Sequence, residues 1–369
     1  MHRSSFRLRF LSGCLLSFAV ALCASIPVPS GTGSVKAGPP MLEPRSGHSA
    51  TLLADGKVLI AGGMRRNQDF YKSSELYDPT TGKFERAGDM TMARVGQAGI
   101  LLPSGKVLIA GGWTGPGCTD SAELYDPATR RFTPTAKMTA RRGNPSATLL
   151  SDGDVLIAGG GDRDTPGGIS LAEVFHPATL SFQAIRPMHY ARISHTATLL
   201  KAGRVLIIGG RGETLATAAE LYDPKTRKFS DTGRLITARY KHTAGLLPDG
   251  RVLIAGGSDE RDWKGKLSSA EIYDPATGKF SATAAMNDAR FKLPDTSVTL
   301  NSGKIVIAGG SREVEVFDPA TGKFELAAGQ MPDPRHFMTE TKLRDGSVLF
   351  AGGYPNGDLG TAETWLFRP

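Results

Sequence analysis

A short phrase, Val-Leu-Ile-Ala-Gly-Gly at 58–63, returns in variant form along the whole chain. Its glycine pairs fall at 62/63, 111/112, 159/160, 209/210, 256/257, 309/310 and 352/353, with spacings of 49, 48, 50, 47, 53 and 43 residues. A period of about fifty residues marks one supersecondary unit, which cannot bury its apolar face alone and must stack on its neighbours. The repeat therefore decides the architecture before any local feature is read.

Aligned on their glycine pairs, the units each show four strand signals. The first is an apolar alternation such as Ser49-Ala50-Thr51-Leu52-Leu53. A turn follows, as at Asp55-Gly56 or Ser104-Gly105, where glycine supplies the positive φ that a tight hairpin demands. The Val-Leu-Ile run is the second strand, apolar on both faces and so buried between neighbours. After a variable loop comes the third, Ala-Glu-Leu-Tyr-Asp-Pro at 122–127 and its variants; Asp-Pro-x-Thr-Gly then forms a turn. The fourth opens on Phe84, Phe132, Phe182, Phe229, Phe280 and Phe324, and leads through a Met-x-x-x-Arg step into the next unit.

Four antiparallel strands repeated radially make a propeller blade, so seven glycine pairs predict an all-β, seven-bladed propeller. The last unit stops at Phe367-Arg368-Pro369 without a fourth strand. Met41 and Arg45 match the Met-x-x-x-Arg step, which places Val35 in the phenylalanine column. Residues around 32–38 are therefore expected to complete the seventh blade and close the ring, removing exposed sheet edges.

The first residues stand outside the repeat. Arg3, Arg7 and Arg9 precede an apolar stretch from Phe10 to Ala24, and Pro27, Pro29 and Gly31 follow. That order predicts a signal peptide over 1–24, a linker over 25–34 and a propeller over 35–369, in a secreted or periplasmic protein. The stretch is short of the roughly 20 apolar residues of a membrane helix, so no span is expected after cleavage between Ala21 and Ser25. Most of the apolar segment follows Cys14 instead of preceding it, and Cys23 follows Leu22 where a small residue is wanted, so a lipid anchor is not expected. Losing three arginines lowers the formal charge from +8 to +5, too little to imply nucleic acid. Cys118 is the cysteine that remains, or one of two if cleavage leaves Cys23, and the domain relies on its core rather than on disulfides.

The glycine pair after an apolar strand, a tyrosine about fifteen residues on and an aromatic opening the last strand resemble the kelch repeat over residues 35–369. Phenylalanine stands here where kelch units often carry tryptophan. The resemblance implies a binding module for peptides or proteins. It also admits sugar-active enzymes such as galactose oxidase or a sialic acid mutarotase, so the fold leaves function open.

Three sets of residues are candidates. Arg45, Arg94, Arg142, Arg192, Arg239, Arg290 and Arg335 each precede a glycine pair by 17 residues, Arg290 alone by 19. The resemblance places this step at one mouth of the central channel. There the arginines either recognise an anion bidentately or are struts paired with the recurrent Glu75, Glu123, Glu173, Glu220, Glu271, Glu315 and Glu363. A carboxylate on every arginine excludes the first reading. Three residues further on, the column varies: His48, Gln97, Pro145, His195, His242, Asp295 and Met338. Variation suits a ligand-reading ring. The three histidines belong to blades 1, 4 and 5, too dispersed to be expected to share a metal. The loops after the glycine pairs, of 11, 10, 12, 9, 13, 4 and 9 residues, carry Trp113, Trp263 and Tyr354.

Cys118, Tyr190, Tyr240, His195 and His242 do not reproduce the motifs of a copper oxidase of the galactose oxidase type. Neither a phosphate-binding loop nor a Gly-x-Ser-x-Gly nucleophile is present. The sequence thus predicts a monomeric binding scaffold, without cofactor or metal, that recognises a peptide, a protein or a saccharide at the channel mouth. A mutarotase-like sugar enzyme is the alternative.

Overall fold

The computed structural model describes residues 32–369, apart from 163, 166, 214–216, 294–295, 356 and 358. Seven four-stranded antiparallel sheets stand as blades around a channel. From the channel outward the strands are called A to D. Blade 1 is Ser49–Leu52, Val58–Ala61, Ser74–Asp78 and Lys83–Arg86; blade 2 is Ala98–Leu101, Val107–Ala110, Ala122–Asp126 and Arg131–Pro134. Blade 3 is Ser146–Leu149, Val155–Ala158, Ala172–His176 and Ser181–Ala184; blade 4 is Thr196–Leu199, Val205–Ile208, Ala218–Asp223 and Lys228–Arg234. Blade 5 is Thr243–Leu246, Val252–Ala255, Ala270–Asp274 and Lys279–Ala282; blade 6 is Ser297–Thr299, Ile305–Ile307, Glu315–Asp318 and Lys323–Leu326.

Blade 7 takes strands A to C from Thr339–Lys342, Val348–Ala351 and Thr364–Arg368, and strand D from Ser34–Ala37. Val35 faces Phe367 in the ladder, just as Phe84 faces Tyr77 and Phe132 faces Tyr125. The ring closes on the N-terminal strand as expected. Residues 1–31, with the expected leader and most of the expected linker, lie outside the described residues.

Strand B is buried at every position in all seven blades because a sheet packs on each of its faces. The core is correspondingly divided into clusters that bridge neighbouring blades. One joins Leu59, Ala61 and Leu76 of blade 1 to Val107, Ile109 and Tyr125 of blade 2. The A strands contact one another in an unbroken circle, blade 7 meeting blade 1. No helix among the described residues is long and apolar enough to cross a membrane.

The glycine pairs are joints between blades. Gly62 and Gly63 have φ of 67° and 94°. A Cβ on Gly63 would lie 2.9 Å from the Ser46 carbonyl oxygen, so only glycine fits. The second glycine donates its N–H to the carbonyl of the next blade's arginine: Gly63 to Arg94 at 2.9 Å, and Gly112 to Arg142 at 2.7 Å. The circle ends with Gly353 to Arg45 at 3.0 Å.

Candidate functional site

The arginine column completes these joints. Arg45, Arg94, Arg142, Arg192, Arg239 and Arg290 are fully buried. Each gives Nη1 to the first carbonyl of its own glycine pair, as Arg142 does to Gly159 at 2.8 Å and Arg239 to Gly256 at 2.7 Å. Each pairs with its blade's glutamate: Arg45 with Glu75 at 2.7 Å, Arg94 with Glu123 at 2.7 Å and Arg142 with Glu173 at 2.9 Å. Arg192–Glu220 at 3.0 Å, Arg239–Glu271 at 2.8 Å and Arg290–Glu315 at 2.8 Å follow suit. The same carboxylates accept backbone N–H groups of the step into the blade, such as Thr91 on Glu123 and Thr139 on Glu173. Arg335 departs: it pairs with the half-exposed Glu363 and stacks on Trp365 instead of reaching its glycine carbonyl. All seven arginines carry a carboxylate, so they are struts and the anion-binding reading of this column fails.

The histidine column is a second set of joints. His48 Nε2 meets the Thr339 hydroxyl at 3.0 Å, His195 meets Ser146 at 2.9 Å and His242 meets Thr196 at 2.9 Å. In each case the partner is the first residue of strand A in the preceding blade. Gln97 reaches Ser49 and the Ala61 carbonyl in the same way. Where the partner position is Ala98, the column residue is Pro145, which has no side-chain group to pair. In these five blades the column residue is matched to the neighbouring blade, while Met338 of blade 7 is a buried apolar residue and the column lines the channel cavity. Burial, reinforced by Arg45 and Arg192, holds His48 and His195 at about 3, and His242 is also well below the usual histidine range. The three rings are neutral links. Asp295 lies outside the described residues.

A third column was not singled out from the sequence. Two residues after each arginine the backbone turns left-handed: Gly47 at φ 61°, Gly96 at 64°, Asn144 at 49°, Ser194 at 56°, Lys241 at 52°, Lys292 at 60° and Phe337 at 53°. Their backbones link around the mouth, with Gly96 N–H on the Gly47 carbonyl at 2.9 Å and Gly47 N–H on that of Phe337 at 2.9 Å. Glycine and asparagine take this conformation readily; lysine and phenylalanine do so at a cost of about 1–2 kcal/mol each. Glycine at 47 and 96 was the available signal. The mouth is consequently low over blades 1 and 2 and built up over blades 5 to 7.

There an aromatic and cationic cluster spans three blades. The Lys292 ammonium sits 3.9 Å from the Trp263 ring centroid and donates to the Tyr354 hydroxyl at 2.7 Å. The Lys241, Lys266 and Lys292 ammonium groups lie 5.9, 5.3 and 5.1 Å from the centroid of buried Phe291. Phe291 and His336 meet Trp263 edge-on at 4.7 and 4.9 Å. Asp262 accepts from the Tyr240 hydroxyl at 2.7 Å and from Lys241 at 3.1 Å. Burial, with the Asp262 charge, pushes the Tyr240 hydroxyl above its usual range. Trp263 stays 42% exposed over these buried groups, whereas Tyr354 is buried. Trp113 is elsewhere, packed against Cys118 and Gly143 at the blade 2–blade 3 junction. Beneath the mouth the channel encloses about 360 Å³, lined by Ser49, Ser146, Thr196, Thr243, Ser297 and Thr339 among others.

The Kelch motif matches residues 44–91, 96–139 and 239–287, which are blades 1, 2 and 5. No sequence among the curated proteins matches the chain. Among solved structures, a fungal alcohol oxidase of the AA5 family in complex with copper is similar to it. The TM-score is 0.74 at 19% identity, over 92% of this chain and 76% of that one. At that identity the likeness shows the fold alone. Among the described residues, the one group of three acidic, histidine or cysteine side chains able to meet on an ion is His189, Glu220 and Asp231. Glu220 is already committed to Arg192 and to the backbone N–H groups of His189 and Tyr190, and no cysteine belongs to the group. Tyr240, His195 and His242 are each held by other partners, so the residues present do not fit a copper site of that kind. The chain thus carries Kelch motifs at three sites within a closed ring of seven blades.

Proposed function

We propose that this protein is a binding scaffold whose ligand, a protein or peptide segment, seats on the channel mouth over blades 5, 6 and 7. Kelch propellers serve in general as binding scaffolds for proteins. The observation that carries this reading is the left-handed column. Lys241, Lys292 and Phe337 occupy positions where blades 1 and 2 use glycine. Residues held against their backbone preference cluster at functional sites. Beside them Trp263 offers an exposed ring backed by Phe291 and flanked by ammonium groups, the composition of an interface anchor. A saccharide is the second reading, favoured by the hydroxyl-lined channel below.

The test is a peptide and glycan array probed with the purified protein and with Trp263→Ala. Peptide signals that disappear in the variant support the proposal. Glycan signals alone favour the second reading, and signals that ignore the substitution overturn the site. We also propose that the chain is exported, on the strength of Arg3, Arg7, Arg9 and the apolar stretch after them. N-terminal sequencing of the mature protein is expected to start between residues 22 and 25. An intact Met1 contradicts export by cleavage.

A further inference from the structure

Blade 6 breaks the repeat. Arg290 stands 19 residues before its glycine pair, where the other arginines stand 17. Strand A begins late, at Ser297, and strand B stops at Ile307. In the other blades strand B runs one residue further, and that residue pairs with the first of strand A, as Ala61 with Ser49 and Ala351 with Thr339. Ala308 has lost this partner. Its N–H crosses to blade 7 and donates to Glu340 Oε1 at 2.6 Å.

Glu340 is itself the exception in its column. The positions in register with it are Ala50, Gly99, Ala147, Ala197, Ala244 and Ser297. One carboxyl group thus replaces the missing rung, across a seam. Its other oxygen, Oε2, is buried without a hydrogen-bond partner among the described residues, at the wall of the channel cavity. A carboxylate so placed is costly when ionised and much less so when protonated. Burial opposes the ionised form and outweighs the two groups that favour it, the Ala308 N–H and Arg290 on the step into blade 6, whose guanidinium is already held by Glu315. Lys342, two residues along the same strand, gives its ammonium to the Thr299 carbonyl at 2.8 Å. Lys292 and Tyr354, joined at 2.7 Å, and Phe337, whose N–H meets the Lys292 carbonyl at 3.1 Å, bridge the same two blades.

We propose that Glu340 is a proton-operated fastener of the seam between blades 6 and 7. Protonated, it holds the seam closed; losing its proton loosens the seam and the mouth built across it. The effect on the mouth rests on the binding-site reading, whereas the fastener itself does not. Burial pushes the Glu340 carboxyl from 4.5 up to about 8. A raised carboxyl favours the closed form fully below its free value and loses that contribution as pH climbs to about 8.

Amide hydrogen exchange, corrected for the intrinsic pH dependence, tests this without any ligand, so its outcome is separate from that of the array. Between pH 5 and 8 the protection of the Ala308 and Phe337 amides is expected to fall by about tenfold per pH unit and then level off. The Gly63 and Gly112 amides, in other joints, serve as references and stay flat. In Glu340→Gln the side-chain carbonyl still accepts from Ala308 and nothing titrates, so protection there is expected to be flat. Flat protection of Ala308 in the wild-type protein overturns the proposal, and that result requires no variant to fold. An equal fall in Glu340→Gln overturns it as well.

Discussion

A guanidinium buried with one carboxylate and a carbonyl has no water to fall back on, so removing either partner strands the other. Arg142→Ala and Glu173→Ala are each expected to cost about 3–5 kcal/mol in urea unfolding, and the double variant less than the sum. A loss below about 1 kcal/mol would mark the column as dispensable to the fold. The neutral histidines impose a pH dependence of known sign. Their folded values lie below the ordinary 6.5, so the unfolded chain binds protons first and stability is lost as pH falls from 6.5 toward about 3. Blade 2 suggests the control, since Gln97 makes the same link without titrating. His48→Gln, His195→Gln and His242→Gln together are expected to flatten this acid limb, checked by melting temperatures between pH 7 and 4. At this scale the sequence was legible in part. The invariance of the arginines and their matched glutamates pointed to struts. The variable column was legible as variable, but not that five of its members answer to the blade before them: Pro145 follows Ala98, and His195 follows Ser146.

At the scale of the strand, Ser34–Ala37 carries a load out of proportion to its length. It covers strand C of blade 7, where Trp365 and Phe367 are buried, and it pairs Val35 with Phe367 across the chain's two ends. Deleting residues 34–37 leaves that edge unpaired and its aromatics uncovered. The expected outcome is a lower melting temperature and concentration-dependent aggregation by light scattering. An unchanged, monomeric protein would mean that the ring closes without its N-terminal strand. This element was legible because Met41 and Arg45 preserve the phase of the repeat beyond the last glycine pair. Blade 6 was less so. Its 19-residue step was visible, but not that Glu340, in the next blade, supplies the missing rung; such a pairing is long-range and leaves no periodic trace.

For the whole molecule, the repeat explains the scaffold, and its local failures mark the candidate site. Seven glycine pairs, seven arginines and their glutamates make a ring whose blades are nearly interchangeable. Over blades 5 to 7 the ring stops being symmetric: glycine gives way to Lys241, Lys292 and Phe337 in the left-handed column, and Trp263 stands exposed beside them. Trp263 and Tyr354 were legible as loop aromatics, but not that Tyr354 would be buried or that three lysines would gather around Phe291. Lys241→Gly removes a side chain from the mouth while giving its backbone the residue it prefers. Its melting temperature is expected to stay level or rise, whereas a clear drop would assign Lys241 to the scaffold. The central claim is that binding resides in this broken symmetry and not in the arginine ring. The most direct measurement is a calorimetric titration of the strongest array ligand into the wild-type protein and Trp263→Ala, with melting temperatures alongside. The account predicts affinity weakened by about tenfold or more at an unchanged melting temperature; equal affinity in the two proteins would contradict it.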